Sequence, residues 1–249
     1  MNLTKYSASG NDFLIFHTFI EKDRSSLAVK ICDRYNGIGA DGLIVLLPYE
    51  KLDFKWQFYN SDGSIAAMCG NGSRAAAHYA YSYGLADKNL KFLTGAGVIK
   101  AYVKDNVVKT QLSDPFIKEK EIKEFNKNWW LIDTGVPHLV AFSDEIKNFN
   151  LDEAKKLRNI YNANVNLAKV KDGKIFIRTY ERGVENETMA CGTGMAAAFY
   201  RAYLENLVLD EAKVYPKSKE ELILSIKDKK LYLKGEVKKI FETFMEEVD

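Results

Sequence analysis

Along this 249-residue chain, apolar and polar positions alternate over several short stretches. In Asp53–Tyr59 (DFKWQFY), Phe54, Trp56 and Phe58 alternate with Lys55 and Gln57, which predicts a half-buried strand. Lys174–Tyr180 (KIFIRTY) has the same period. Val98–Lys104, Val107–Leu112, Trp129–Asp133, Val165–Val170 and Glu221–Ile226 read as further strands. Two Ala-rich segments break the pattern, GNGSRAAAHYAYSYG, closing on Gly84, and CGTGMAAAFYRAYLENL. Both have helical composition, the first with a glycine stop. SLAVKICDRY is also helix-like and is expected to bury Cys32. The charged stretch Lys118–Asn128 (KEKEIKEFNKN), between the two Ala-rich segments, reads equally well as a crossover connection or as a solvated loop or short exposed helix.

The two Ala-rich segments are copies of one another. Aligning MCGNGSRAAAHY with ACGTGMAAAFY places Cys69 on Cys191, Gly70 on Gly192 and Gly72 on Gly194. Each follows a predicted strand, and the offset is about half the chain. A repeat that long is no solenoid unit; it predicts two similar domains facing each other across a cleft. The expected fold is therefore of α+β type, within the broad α/β class: two pseudo-symmetric domains, each a curved, mainly antiparallel sheet wrapped around a helix.

Bulk properties narrow the function. Hydrophobic residues make up 47% of the chain and charged residues 28%, enough apolar surface for real cores. The net charge of +2 is spread evenly, so neither nucleic acid nor an anionic membrane surface is an expected partner. The N-terminal sequence lacks the features of a signal peptide, and Leu43–Leu47 is too short to span a bilayer, so a cytoplasmic location is expected. There are three cysteines and no CxxC pair, which argues against both a disulfide framework and a structural zinc site.

Chemistry is then the reason to look at Cys69 and Cys191. Each would sit just ahead of a helix, where unpaired backbone N–H groups and the helix dipole favour a thiolate. The glycines that follow leave main-chain N–H groups open to an anion such as a carboxylate. A stereocentre is inverted when a base on one face removes a proton and an acid on the other delivers one, and two thiols in opposite protonation states can do both. The main-chain amides of Gly70, Asn71, Gly192 and Thr193 are the candidates to hold the charge that develops on the substrate carboxylate.

SGNDF at Ser9–Phe13, FYNSDGS at Phe58–Ser64, MCGNGSR at Met68–Arg74, GVPH at Gly135–His138, YERG at Tyr180–Gly183 and ETMACGTG at Glu187–Gly194 together resemble the diaminopimelate epimerases. The resemblance implies a homodimer of two-domain subunits, with the active site in the interdomain cleft and no pyridoxal phosphate, metal or other cofactor. It implies that Cys69 and Cys191 are the acid/base pair. Asn11, Asn60, Asn166, Glu181 and Arg182 are then expected around a small amino-acid substrate, and His138 and Glu181 are expected to adjust the thiol pKa values. Arg182 suits a distal carboxylate and Glu181 an ammonium. The implied domains are residues 1–115 with 239–249, carrying Cys69, and 116–238, carrying Cys191. Two positions depart from the family: Val136 stands where many members have Asn, and Gly42 where some have Gln.

Rival readings are a racemase of another amino acid on the same fold, a dithiol redox protein, and a non-catalytic amino-acid-binding module. His17 and His78 are expected to be packed rather than catalytic. As turn formers alone, Asn11, Asn60 and Asn166 would need no ligand.

Overall fold

In the computed structural model, residues 1–246 are described; residues 247–249, the end of the segment expected to return to the N-terminal domain, lie outside the described residues. The chain divides into two compact units, Met1–Thr110 with the segment from Gly235 onward, and Gln111–Lys234.

Unit 1 contains β1 (Asn2–Ala8), β2 (Asn11–His17), α1 (Ser25–Cys32), β3 (Gly42–Leu47), β4 (Phe54–Asn60), α2 (Gly70–Ser82), β5 (Asn89–Thr94), β6 (Gly97–Lys104) and β7 (Val107–Gln111). Unit 2 contains β8 (Phe116–Glu124), β9 (Lys127–Asp133), β10 (Pro137–Phe142), α3 (Leu151–Tyr161), β11 (Asn164–Lys171), β12 (Lys174–Glu181), the short β13 (Asn186–Thr188), α4 (Gly192–Leu204), β14 (Glu211–Tyr215), β15 (Leu222–Lys227) and β16 (Lys230–Glu236). The last strand, β17 (Lys238–Phe244), belongs to unit 1.

Strand pairing shows that the units repeat one topology. In unit 1, β17, β1 and β2 run antiparallel to their neighbours, β2 and β3 are parallel, β3 and β4 antiparallel, β4 and β5 parallel, and β5, β6 and β7 antiparallel. Unit 2 gives the same series of directions along β8, β9, β10, β11, β12, β14, β15 and β16. The parallel pairs β2–β3 and β10–β11 are bridged by α1 and α3, since a parallel connection needs a crossover element.

Each sheet curls around its Ala-rich helix. α2 packs against β1, β2, β3 and β6, and α4 against β9, β10, β11, β12, β14 and β15, so strands from both ends of each sheet reach the same helix. Every residue from Gly70 to Ala77 is buried, as is every residue from Gly194 to Phe199. The small alanines are what allow sheet backbone to approach a helix on several sides. α2 ends at Ser82; Gly84, with φ +68, takes the left-handed conformation that lets Leu85 N–H reach back to Ala80 O at 2.9 Å.

One segment departs from its sequence reading. Lys118–Asn128 is neither a loop nor a short helix: most of it is the irregular strand β8, running into β9. Ile122 is buried against the core that holds Trp129, its register partner, while the lysines and glutamates around it face outward. Glu121 at φ +63 marks the bulge that lets this charged stretch pair as a strand. Helix α3 and its Asn150 cap, whose side chain accepts from the Asp152 and Glu153 N–H groups, were not among the predicted elements. Among the described residues, no helix is long and apolar enough to cross a membrane.

Candidate active site

Both cysteines of interest are helix N-caps. Cys69 precedes α2 in extended conformation (φ −146°, ψ 121°), and its Sγ accepts from Gly72 N–H at 3.4 Å, as a serine oxygen does at this position. Cys191 precedes α4 (φ −120°, ψ 109°), and its Sγ lies 3.5 Å from Thr193 Oγ1. The N–H groups of Gly70 and Asn71, and of Gly192 and Thr193, open the two helices and have no intrahelical acceptor.

Beside Cys69, polar side chains are bonded in series through Asn71. The Asn11 carboxamide donates to Asp41 Oδ2 at 2.9 Å and accepts from Asn71 Nδ2 at 2.8 Å. Asn71 Oδ1 accepts in turn from Arg74 Nη2 at 3.0 Å. The Arg74 guanidinium is fully buried and also donates to Ser9 Oγ at 2.5 Å and Gly70 O at 3.3 Å. A cation is thus built into the first turn of α2 and ties it to the β1–β2 turn. Asn60, at the end of β4, donates to Ser64 Oγ at 2.9 Å within its own turn.

Around Cys191 the chemistry differs. His138 is fully buried; its Nε2 lies 2.9 Å from Thr193 Oγ1 and its Nδ1 3.1 Å from Asn166 Nδ2. Burial drives the imidazole pKa down to about 3, with Arg182 adding to the effect and Asp133 and Asn166 opposing it, so His138 is neutral at physiological pH. Asn166 is fully buried and its carboxamide is committed inside the protein: it donates to Leu139 O at 2.9 Å and accepts from Thr179 Oγ1 at 2.9 Å. Asn164, two residues earlier on β11, accepts from the Arg182 N–H at 2.7 Å. The Arg182 guanidinium rests on Asn162 O at 2.9 Å. Glu181 ends β12; burial raises its carboxyl pKa, with the Thr188 side chain pulling the other way.

The repeat makes the two environments directly comparable. A Cβ added to Gly72 would meet Ile44 and Phe13; one added to Gly194 would meet Asn166 and His138. Phe13 and His138 therefore occupy equivalent places, as do Ile44 and Asn166, and one helix start rests on apolar groups where the other rests on a polar pair. Counted back from Phe13 and His138, Val136 holds in unit 2 the place of Asn11. At Gly42 a Cβ would lie 2.6 Å from Phe58 Cε2 and 2.7 Å from Tyr59 O, so position 42 has no room for a side chain here.

The sequence pattern defining the diaminopimelate epimerases matches residues 3–115 and 130–240. The chain belongs to the diaminopimelate epimerase family. It is 62% identical over 247 residues to a protein of a Nitratiruptor species named diaminopimelate epimerase, covering 99% of both chains. It is 52% identical over 245 residues to one of the same name from Campylobacter lari, covering 97% of this chain and 98% of that one. Among solved structures, a probable proline racemase from Agrobacterium radiobacter K84 has the same fold, with a TM-score of 0.78 at 14% identity, covering 98% of this chain and 92% of that one.

Within this family member, the motif residues fall into two groups. In unit 1, Gly70 and Asn71 follow Cys69 in the chain and Asn11 is bonded to Asn71; Asn60 makes its hydrogen bonds within its own turn. In unit 2, His138, Asn166 and Thr193 join Cys191, and Glu181 and Arg182 stand together where β12 ends. His17, exposed at the end of β2, and the half-buried His78 each bond a tyrosine, with Nδ1 2.8 Å from Tyr79 Oη and 3.0 Å from Tyr6 Oη respectively. Cys32 is buried in α1, and its thiol pKa is pushed up to about 12 by burial. Sequence reasoning missed Arg74, Asn164, Thr179 and Thr134, whose Oγ1 donates to Thr193 O at 2.9 Å. Arg74 and Asn164 had a readable signal, because a charged residue in the middle of an otherwise small-residue helix start and an Asn-x-Asn pair on a strand are both unusual in a core.

Proposed function

We propose that this chain epimerises LL-2,6-diaminopimelate to meso-diaminopimelate, a step serving lysine and peptidoglycan precursor synthesis, with no cofactor. The observation that carries the reading is the matched pair of cysteine N-caps, one in each repeated unit, in a chain so similar along its whole length to relatives named for this activity. One thiolate removes the α-proton while the other thiol returns a proton to the opposite face. Negative charge spreading onto the α-carboxylate is met by the main-chain N–H groups of Gly70, Asn71, Gly192 and Thr193; loss of one such donor typically costs roughly 10²–10³ in rate.

Asn11, Asn60 and Arg182 are assigned to binding the two amino-acid heads of the substrate, Glu181 to an ammonium, and His138 and Glu181 to adjusting the thiols. Asn166 is assigned a supporting role, because both its N–H hydrogens are already given to His138 and Leu139 and its oxygen already accepts from Thr179. The working form is proposed to be a cytoplasmic homodimer, which light scattering of the purified protein tests.

The activity is tested by incubating the LL isomer in heavy water and resolving the products by chiral chromatography. Inversion with deuterium at the α-carbon is expected, abolished by Cys69→Ser and by Cys191→Ser. Inversion of only another amino acid would overturn the substrate; full activity of either variant would overturn the two-thiol chemistry.

A further inference from the structure

The hydrogen bonds around His138 have one consistent direction. Asn166 Oδ1 accepts from Thr179 Oγ1 at 2.9 Å, and its Nδ2 faces the carbonyl of Leu139 at 2.9 Å; a carbonyl only accepts, so the amide orientation is settled by its surroundings. The second hydrogen of Nδ2 then points at His138 Nδ1, 3.1 Å away, which must accept. In a neutral imidazole this leaves the proton on Nε2, where it is donated to Thr193 Oγ1 at 2.9 Å. Accepting from Nε2 leaves the Thr193 hydroxyl its own hydrogen to give, and Cys191 Sγ, which as a thiolate can only accept, lies 3.5 Å from it. Asn164 Oδ1 accepts the Arg182 N–H, so Asn164 Nδ2 can only donate; it gives its hydrogen to Pro137 O at 3.4 Å and makes no bond to the protonated Nε2, also 3.4 Å away.

We infer that the Thr193 hydroxyl is the positioning group through which His138 acts on Cys191: a one-way chain runs from Asn166 through His138 and Thr193 and ends as a hydrogen bond donated to the sulfur. This deepens the proposed two-thiol reading and rests on it for its catalytic consequence. The chain serves one thiol only. In unit 1 the equivalents of His138 and Asn166 are Phe13 and Ile44, neither of which can donate, and Asn71, the equivalent of Thr193, is bonded to Asn11 and Arg74. Cys69 receives a backbone N–H from Gly72 instead. The two half-sites thus hold their sulfurs by different means, although the fold around them repeats.

The charged groups that act on the imidazole are Asp133 and Arg182. They bear on His138, whereas the Thr193 hydroxyl bears on the sulfur directly, and this separates the two by mutation. Thr193→Val keeps the shape and removes the hydroxyl; Thr193→Ser keeps the hydroxyl and removes the methyl. A hydrogen bond to a charged acceptor is the stronger kind, so Thr193→Val is expected to slow iodoacetamide alkylation of Cys191 by roughly 10- to 100-fold, read by peptide mass spectrometry, while Cys69 reacts at the wild-type rate. With diaminopimelate, kcat is expected to fall by a similar factor with KM nearly constant, and Thr193→Ser is expected to restore both rates. Wild-type alkylation of Cys191 in Thr193→Val, or equal impairment in Thr193→Ser, would overturn the inference. Alkylation needs no substrate, so it reads the chain of bonds even if the proposed substrate is wrong.

Discussion

Gly194 lies so close to Asn166 that a Cβ on the glycine would sit 2.4 Å from Asn166 Oδ1. The equivalent Gly72 would place its Cβ 3.2 Å from the end of the Ile44 side chain. In one unit the helix start is pressed onto a carboxamide held by three hydrogen bonds; in the other it is pressed onto a flexible methyl. Gly194→Ala is therefore expected to destabilise the protein by about 1–3 kcal/mol and to disturb Asn166, whereas Gly72→Ala costs less because Ile44 can give way. Chemical denaturation of the two variants side by side checks this, and equal midpoints would contradict it.

His138 makes stability depend on pH. Its folded pKa, about 3, lies below the ordinary 6.5, so as pH falls below 6.5 the unfolded chain takes up a proton that the native state refuses. Stability contributed by the neutral imidazole is full above pH 6.5 and declines as pH falls towards 3, by at most about 1.4 kcal/mol per pH unit. His138→Gln is expected to flatten this acid limb in melting curves between pH 4 and 8. A variant that kept the wild-type slope would show that other groups cause it.

Arg74 holds Ser9, Asn71 and Gly70 from inside the core. Arg74→Met would leave those acceptors short of a donor in a dry site, at about 1–3 kcal/mol for each one stranded. A lower melting temperature is expected, together with a fall in kcat at temperatures where the variant is still folded, because Asn71 opens the helix that Cys69 caps. Unchanged kcat in the folded variant would confine Arg74 to stability.

Glu187 anchors the segment that leads into Cys191. Its side chain is 4% exposed and receives Arg178 Nε and Nη2 at 2.5 and 2.8 Å and Lys217 Nζ at 2.7 Å. These ions join β12, β13 and the turn after β14. Arg178 and Lys217 are 26% and 42% exposed and return to water when the carboxylate is removed, so Glu187→Ala is expected to cost about 1–3 kcal/mol in denaturant unfolding. A loss below about 1 kcal/mol, the range of exposed ion pairs, would show that the triad is solvated and weak.

Much of this was legible in the residues themselves. Alternation located the strands at Phe54–Asn60 and Lys174–Glu181, and the repeated Cys-Gly-x-Gly strings located both helix starts, because strand period and helix capping are local properties. The strand β8 was hidden because its charged residues carry no alternation, and what recruits it is the pairing with Trp129, which comes later in the chain.

Asn164 and Asn166 show where local information ends. They are two residues apart on β11, so the period-two rule puts both on one face and cannot tell them apart. Tertiary packing separates them: α4 settles onto Asn166 and seals it against His138, while Asn164 reaches the Arg182 backbone. The amino-acid order therefore determined the repeat, its strands, its helix caps and the pair of cysteines. Only the folded packing decided which polar group touches which, since burial and hydrogen-bond direction depend on residues brought together from distant parts of the chain.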